Sequence, residues 1–268
     1  MRKATVPATK ATARRAPVAK RNAKGDEDNA GPADFRTRVA ADKRARMRER
    51  LLDATIAAYA GSAPGVTPVI DDVIRVAGVS RGSFYKYFQS LDEILPELGQ
   101  RMAEEMVTTY EQLFGDVADP AVCAAGGPLL TLSRAAMEPA RVAFTSRVDF
   151  VQYFARDDLH GMAVKARLLQ AREAGALRFE SLDAAIDFAV GAALEGARRV
   201  MHAPGLDPAY VRQLTVMVLR GLGMSEAGAS RAADKAWQLL MQRAAQLPWW
   251  QSAKVIDASG RTRRPMGR

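Results

Sequence analysis

AGVSRGSFYKYF, residues 77–88, is the stretch on which the fold turns. Gly78 gives the chain a residue at which it reverses cheaply. Ser80 stands where a helix N-cap belongs, and Arg81, Gly82 and Ser83 follow in the first turn of a short helix expected over 80–87. Phe84 and Phe88 are four apart, share one face, and read as anchors in a core. Tyr85, Lys86 and Tyr87 read the opposite way, because two phenols and an ammonium are costly to bury without partners. Upstream, Val69, Ile70, Val73, Ile74 and Ala77 give about two turns of apolar face, with Thr67-Pro68 as N-cap and first helical residue. Residues 69–88 therefore read as a helix-turn-helix, whose second helix enters a DNA major groove. Arg81 and Ser83 then reach base edges, while Tyr85, Lys86 and Tyr87 meet phosphates, which set position rather than sequence.

Helical signals continue on both sides. Met47, Leu51, Ala54 and Ala58 fall at helical spacing from about residue 42, and Gly61 ends that helix. Ser90 and Glu93 form a capping box opening a long helix to about Leu113, with a kink expected at Pro96. Beyond 115 helix follows helix, with breaks expected at Asp119-Pro120, Gly126-Gly127-Pro128, Glu138-Pro139, Gly161, Gly175, Ala203-Pro204-Gly205 and Gly223. No β-branched alternation bounded by hairpin turns occurs, so the expected class is all-α.

The formal charge of +9 is concentrated at the ends. Residues 1–24 carry eight Lys/Arg and no acid, and 254–268 carry five against Asp257, whereas 25–253 hold 26 basic against 29 acidic residues. Residues 36–50 are a local exception, with seven basic residues against Asp42 and Glu49. The segments 1–35 and 254–268 are expected to be disordered, since they lack the apolar surface to offset ordering entropy. The first is either a solubilising tail, a basic arm adding sequence-independent phosphate affinity or a transit peptide.

Several classes are disfavoured. No apolar run approaches the ~18 residues of a membrane span. No apolar segment follows the basic N-terminus, as a secretory signal requires. The lone Cys123 suits a reducing cytosol, and with His160 and His202 it gives no metal-ligand spacing. No nucleophile elbow, phosphate loop or paired catalytic carboxylates stand out, so neither catalysis nor a cofactor is expected.

The stretch AGVSRGSFYKYFQSLDEIL, with Arg48 ahead of Leu51-Leu52, Ala54 and Tyr59, resembles the DNA-binding signature of the TetR family of bacterial transcriptional regulators. The resemblance covers about 44–100. It implies a DNA-binding domain over 40–100, with Arg81, Gly82 and Ser83 facing bases and Tyr85, Lys86 and Tyr87 on operator phosphates, the helix being capped by Ser80. Two positions depart from the family: Val69 stands where a threonine often opens the second helix, and Leu91 where a lysine is common. The resemblance also implies a helical ligand-binding and dimerisation domain over 101–248. The expected reading is a cytoplasmic, nucleoid-associated homodimeric repressor, released from a double-stranded operator by a small, largely apolar effector; the alternative is a constitutive or architectural DNA-binding protein. Pocket candidates are Phe150, Tyr153, Phe154, His160, Met162, Phe188, Glu195, Arg199 and His202. The dimer interface is expected on 183–202 and 208–222, where Ala185, Ala189, Ala192 and Gly196 permit close approach and Val211, Leu214, Val218, Leu219 and Leu222 are apolar.

Overall fold

The computed structural model describes residues 32–63, 65–148 and 159–256. The terminal segments 1–31 and 257–268, and with them most of the two basic tails, lie outside the described residues, as do Phe150, Tyr153 and Phe154. The chain divides into two units, 1–45 and 46–268. What is described of the first is the start of helix α1 (Pro32–Gly61), which begins ten residues earlier than its apolar spacing predicts. The added turns read PADFRTRVAA, and their residues from 37 on are exposed, so no apolar stripe announces them.

In the second unit, α1 is followed by α2 (Ile70–Ala77), α3 (Arg81–Phe84), α4 (Leu91–Phe114), α5 (Pro120–Met137), α6 (Pro139–Thr145), α7 (Leu159–Glu173), α8 (Leu182–Val200), α9 (Pro208–Gly221) and α10 (Glu226–Arg243). Among the described residues there is no strand, only a single bridge between Leu206 and Val255. The all-α expectation holds. So do the boundaries at Asp119-Pro120, Glu138-Pro139, Gly175, Ala203-Pro204-Gly205 and Gly223. Asp119, Ser181, Asp207 and Ser225 each cap a helix by accepting a backbone N–H.

Four local expectations fail, each for a physical reason. α5 runs through Gly126-Gly127-Pro128, because tertiary packing overrides propensity: Val122, Cys123, Ala125, Leu129, Leu130 and Leu132 on it are all buried. α7 likewise runs through Gly161. The cap of α2 is Val69 and not Thr67; the Asp72 carboxylate inside the helix accepts the Val69 N–H at 3.0 Å, which makes the threonine unnecessary, and Val69 itself is exposed. Ser90 opens α4 without a side-chain cap bond, and Glu93 instead accepts from the Gln89 N–H at 2.7 Å.

Two apolar cores form. One gathers Leu51, Leu52, Ile56 and Tyr59 of α1, Val73 and Ala77 of α2, Phe84, Phe88, and Ile94, Leu95 and Leu98 of α4, with Phe144 of α6 inserted from beyond. The other is built round α5, which packs on α7, α8, α9 and α10. The long α4 contributes to both, its first turns to one and Leu113-Phe114 to the other.

Candidate functional site

The surface made by α2 and α3 follows from its turn. Gly78 closes α2 with φ 62° and ψ 41°, a left-handed conformation that penalises any side chain. The Val79 N–H reaches back to the Ile74 carbonyl at 3.1 Å and locks the reversal. Ser80 Oγ accepts the Ser83 N–H at 3.1 Å, so the predicted cap is present. α3 itself is shorter than the expected 80–87. After Phe84 the Tyr87 N–H bonds the carbonyl only three residues back, at 2.9 Å, and residues 85–87 form a turn. That tightening brings both Phe84 and Phe88 into the core, their ring centroids 6.2 Å apart.

Of the sequence-predicted DNA contacts, Ser80, Arg81, Gly82, Tyr85 and Lys86 are exposed, and Ser83 and Tyr87 are partly so. They form one outward surface on the buried phenylalanine pair. Arg48 fixes it from behind. Its guanidinium bonds both carboxylate oxygens of Glu97, reaches the Tyr87 carbonyl at 3.4 Å and lies 4.4 Å from the Phe88 ring centroid. Leu91 packs on the core. Arg81 is not free: Asp71 of α2 holds its Nη2 at 2.6 and 2.7 Å, and the bonded carboxylate raises the guanidinium above its ordinary value. Nothing in the sequence announces this pairing, because the two residues are ten apart on different helices. Removing the carboxylate takes one negative charge off the surface that α3 presents. Asp71→Asn is therefore expected to strengthen binding to any duplex, most at low salt where the lost repulsion is least screened, measured by fluorescence anisotropy over a salt series.

The second feature is a cavity of about 200 Å³ among α4, α5, α6, α7 and α8, lined also by Val218 and Leu222. Its walls are chiefly apolar: Met102, Met106 and Val107 from α4, Leu130 from α5, Val164 and Leu168 from α7. Polar groups converge at two places. At one, Tyr110 donates to the Cys123 carbonyl at 2.7 Å, and burial pushes both the phenol and the Cys123 thiol up, so both stay neutral. At the other stand Arg134, Glu138 and Arg141. An apolar chamber with a few convergent polar groups is the usual form of a small-molecule site.

Among the described side chains, none of the pocket candidates read from sequence lines this cavity. Phe188 is 45% exposed on α8 and lies over Gly221 of α9. Glu195 is exposed and pairs with Arg198 at 3.0 Å. Met162, Arg199 and His202 are exposed as well. His160 is the second residue of α7, and its side chain lies outside the described residues. The chamber is supplied by other residues of α6, α7 and α8, and as much again by α4 and α5. One sequence signal pointed there: Arg134 is the only charged residue in the otherwise apolar α5.

The small-residue stripe is also committed elsewhere. Ala185, Ala189 and Gly196 are buried within the chain, and a Cβ on Gly196 would run into Leu214 and Leu132. Val211, Val218, Leu219 and Leu222 are buried too. The close approach predicted from these residues exists, but it joins α8 to α9 and α5 of the same chain.

No family model matches the chain, and no curated protein matches its sequence. Solved structures do resemble it. RolR in complex with resorcinol is 20% identical, with a TM-score of 0.57 over 73% of this chain and 96% of RolR. The fatty acid degradation regulator FadR from Bacillus halodurans is 16% identical, with a TM-score of 0.54 over 67% of this chain and 97% of that one. A TetR-family transcriptional regulator from Haemophilus influenzae is 17% identical, with a TM-score of 0.51 over 66% and 97%. The chain has the TetR-like fold.

Proposed function

We propose that this TetR-like chain is a sequence-specific DNA-binding transcriptional regulator, acting as a homodimer released from its operator by a small, largely apolar ligand. α3 and the following turn read DNA, Arg81 and Ser83 at base edges and Tyr85, Lys86 and Tyr87 at phosphates, with Ser80 and Gly82 letting the backbone approach.

The observation that carries this reading is the double role of α6. One face of it, Arg141, Val142 and Thr145, lines the cavity. The other face puts Phe144 into the core beneath α3, its ring 5.2 Å from that of Tyr59 and nearly perpendicular to it. Just beyond α6, Arg147 donates to the carbonyls of Tyr59 and Ser62 at the end of α1. A ligand that moves α6 must therefore move the bundle that carries α3. Pro96 leaves one backbone bond of α4 unmade near its start, which makes the second connection the more compliant one. The ligand must prefer the DNA-incompetent arrangement, since equal affinity for both would shift nothing. A coupling of roughly 1–3 kcal/mol gives about 5- to 150-fold release, and operator must weaken ligand binding by the same factor. Titrating each ligand hit with and without operator tests this. Hits indifferent to the operator favour a constitutive DNA-binding protein instead.

The dimer face we assign is the outward side of α8 and α9. With the small residues engaged inside the chain, the apolar groups left exposed there are Phe188 and Met217, the latter 59% exposed, beside half-buried Tyr210 and Leu214. Phe188 lies across Gly221, so the two helices present one continuous patch, which a two-fold partner would cover. Met217→Glu is expected to give folded monomers by light scattering at micromolar concentration, with at least tenfold weaker operator binding. A dimer that survives the charge would move the interface elsewhere. Gly196→Glu is expected to unfold the chain and not merely to separate it.

A further inference from the structure

The cavity's charged end indicates what class of ligand it admits; this rests on the cavity being the effector site. Arg134 and Arg141 line it with side chains only 8% and 15% exposed. Two carboxylates serve them, and both guanidiniums bond the same oxygen of one. Glu105 Oε2 lies 2.6 Å from Arg134 Nη2 and 2.7 Å from Arg141 Nη2. Glu138 takes Arg134 Nε at 2.8 Å but stands 3.7 Å from Arg141 Nε, beyond hydrogen-bond reach. Burial, and next the nearby Arg134 charge, press the Arg141 guanidinium below its ordinary value. Arg141 therefore has one carboxylate within hydrogen-bond reach, and if that group leaves, a buried guanidinium calls for another anion.

Glu105 is also wanted elsewhere. Arg101, one turn earlier on α4, spends its Nη atoms on Glu49 and Asp53 of α1, at 2.6 and 2.9 Å. Its Nε is buried without a hydrogen-bond partner, and Glu105 Oε1 waits 3.8 Å away. A rotation of Glu105 toward Arg101 would satisfy that donor, but would abandon the two cavity arginines.

We propose that the effector is an apolar carboxylate whose head group replaces Glu105 on Arg134 and Arg141, and that the displaced Glu105 turns to Nε of Arg101. The exchange leaves both cavity arginines with a carboxylate, gives Nε of Arg101 its acceptor, and alters the clamp on α1, the first helix of the DNA-reading bundle. A neutral ligand leaves Glu105 where it is, and an amine meets two guanidiniums. The size follows from the volume: a cavity of 150 Å³ holds benzene, so 200 Å³ suits roughly eight to twelve heavy atoms. Octanoate is such a molecule.

The test is calorimetric titration of the full chain, without DNA, at about pH 7 with octanoate, 1-octanol and octylamine. Octanoate should bind about tenfold or more tighter than 1-octanol, the value of a charge-assisted hydrogen-bonded pair, with octylamine weakest. Arg141→Gln should erase the preference for octanoate. Glu105→Gln, which removes the internal competitor, should tighten octanoate several-fold and leave 1-octanol unchanged; a residue that served packing alone would weaken both. 1-Octanol binding as well as octanoate, a preference that survives Arg141→Gln, or Glu105→Gln failing to tighten octanoate would each overturn the proposal while leaving the cavity an effector site. Failure of all three probes to bind would overturn the effector reading and this inference together. Should Arg141→Gln not fold, the wild-type comparison and Glu105→Gln still decide.

Discussion

Phe84→Ala is expected to unfold the bundle that carries α3 and to abolish operator binding. Phe84 is fully buried, edge-on to Tyr85 at 5.6 Å and beside Phe88, in a core of Leu51, Leu52, Val73, Ile94 and Leu98. Removing a buried phenyl ring costs about 3–5 kcal/mol, transfer and cavity terms together. Typical whole-domain stabilities are about 5–15 kcal/mol, so a small bundle loses much of its margin. Because the core round α5 is a separate cluster, the larger half should persist. Thermal unfolding followed by circular dichroism should split into an early transition for the bundle and a later one near the wild-type midpoint. A single transition at the wild-type temperature would show that Phe84 does not anchor the bundle.

The second large effect concerns Arg81. It stands in the first turn of α3, exposed, beside Ser83 and steered by Asp71. Arg81→Ala should weaken the best site by roughly 5- to 150-fold and flatten the preference among bases at its position, since a bidentate base contact is lost. Lys86→Ala should act differently. Its ammonium is exposed on the turn after α3 and neutralises phosphate, so every sequence should suffer alike and the log–log salt slope should fall by about 0.9. Competition binding against single-base variants of the preferred site separates the two. Equal losses on all variants for Arg81→Ala would remove Arg81 from base reading.

What could be read from the sequence was local. Gly78, Ser80 and the Phe84–Phe88 pair specify a turn, a cap and an anchored face within twelve residues, and all three are present. The break expected at Asp119-Pro120 is local in the same way, and Asp119 caps α5 there. What could not be read was which distant surface each face meets. The stripe through Ala185, Ala189 and Gly196 announces close helix approach, yet nothing in its spacing distinguishes Leu132 and Leu214 of the same chain from a partner. Phe188 reads as pocket lining because it shares a helix face with Glu195, Arg199 and His202, although an aromatic left exposed on a helix is as good a sign of an interface as of a pocket. The cavity itself is assembled from residues as far apart as Met102 and Leu222, none of which marks itself except Arg134. Its signal was a cation in an apolar helix, held by Glu105 from another helix, 29 residues away.

The central claim is that α3, presented twice by a two-fold dimer, reads a specific duplex. The most direct measurement is selection of a randomised duplex pool on the purified full chain, with sequencing of the bound fraction. The account predicts an enriched two-fold symmetric motif whose half-sites lie about one helical turn apart, lost in Arg81→Ala. A bound fraction with no enriched motif, retained through charge alone, would contradict it.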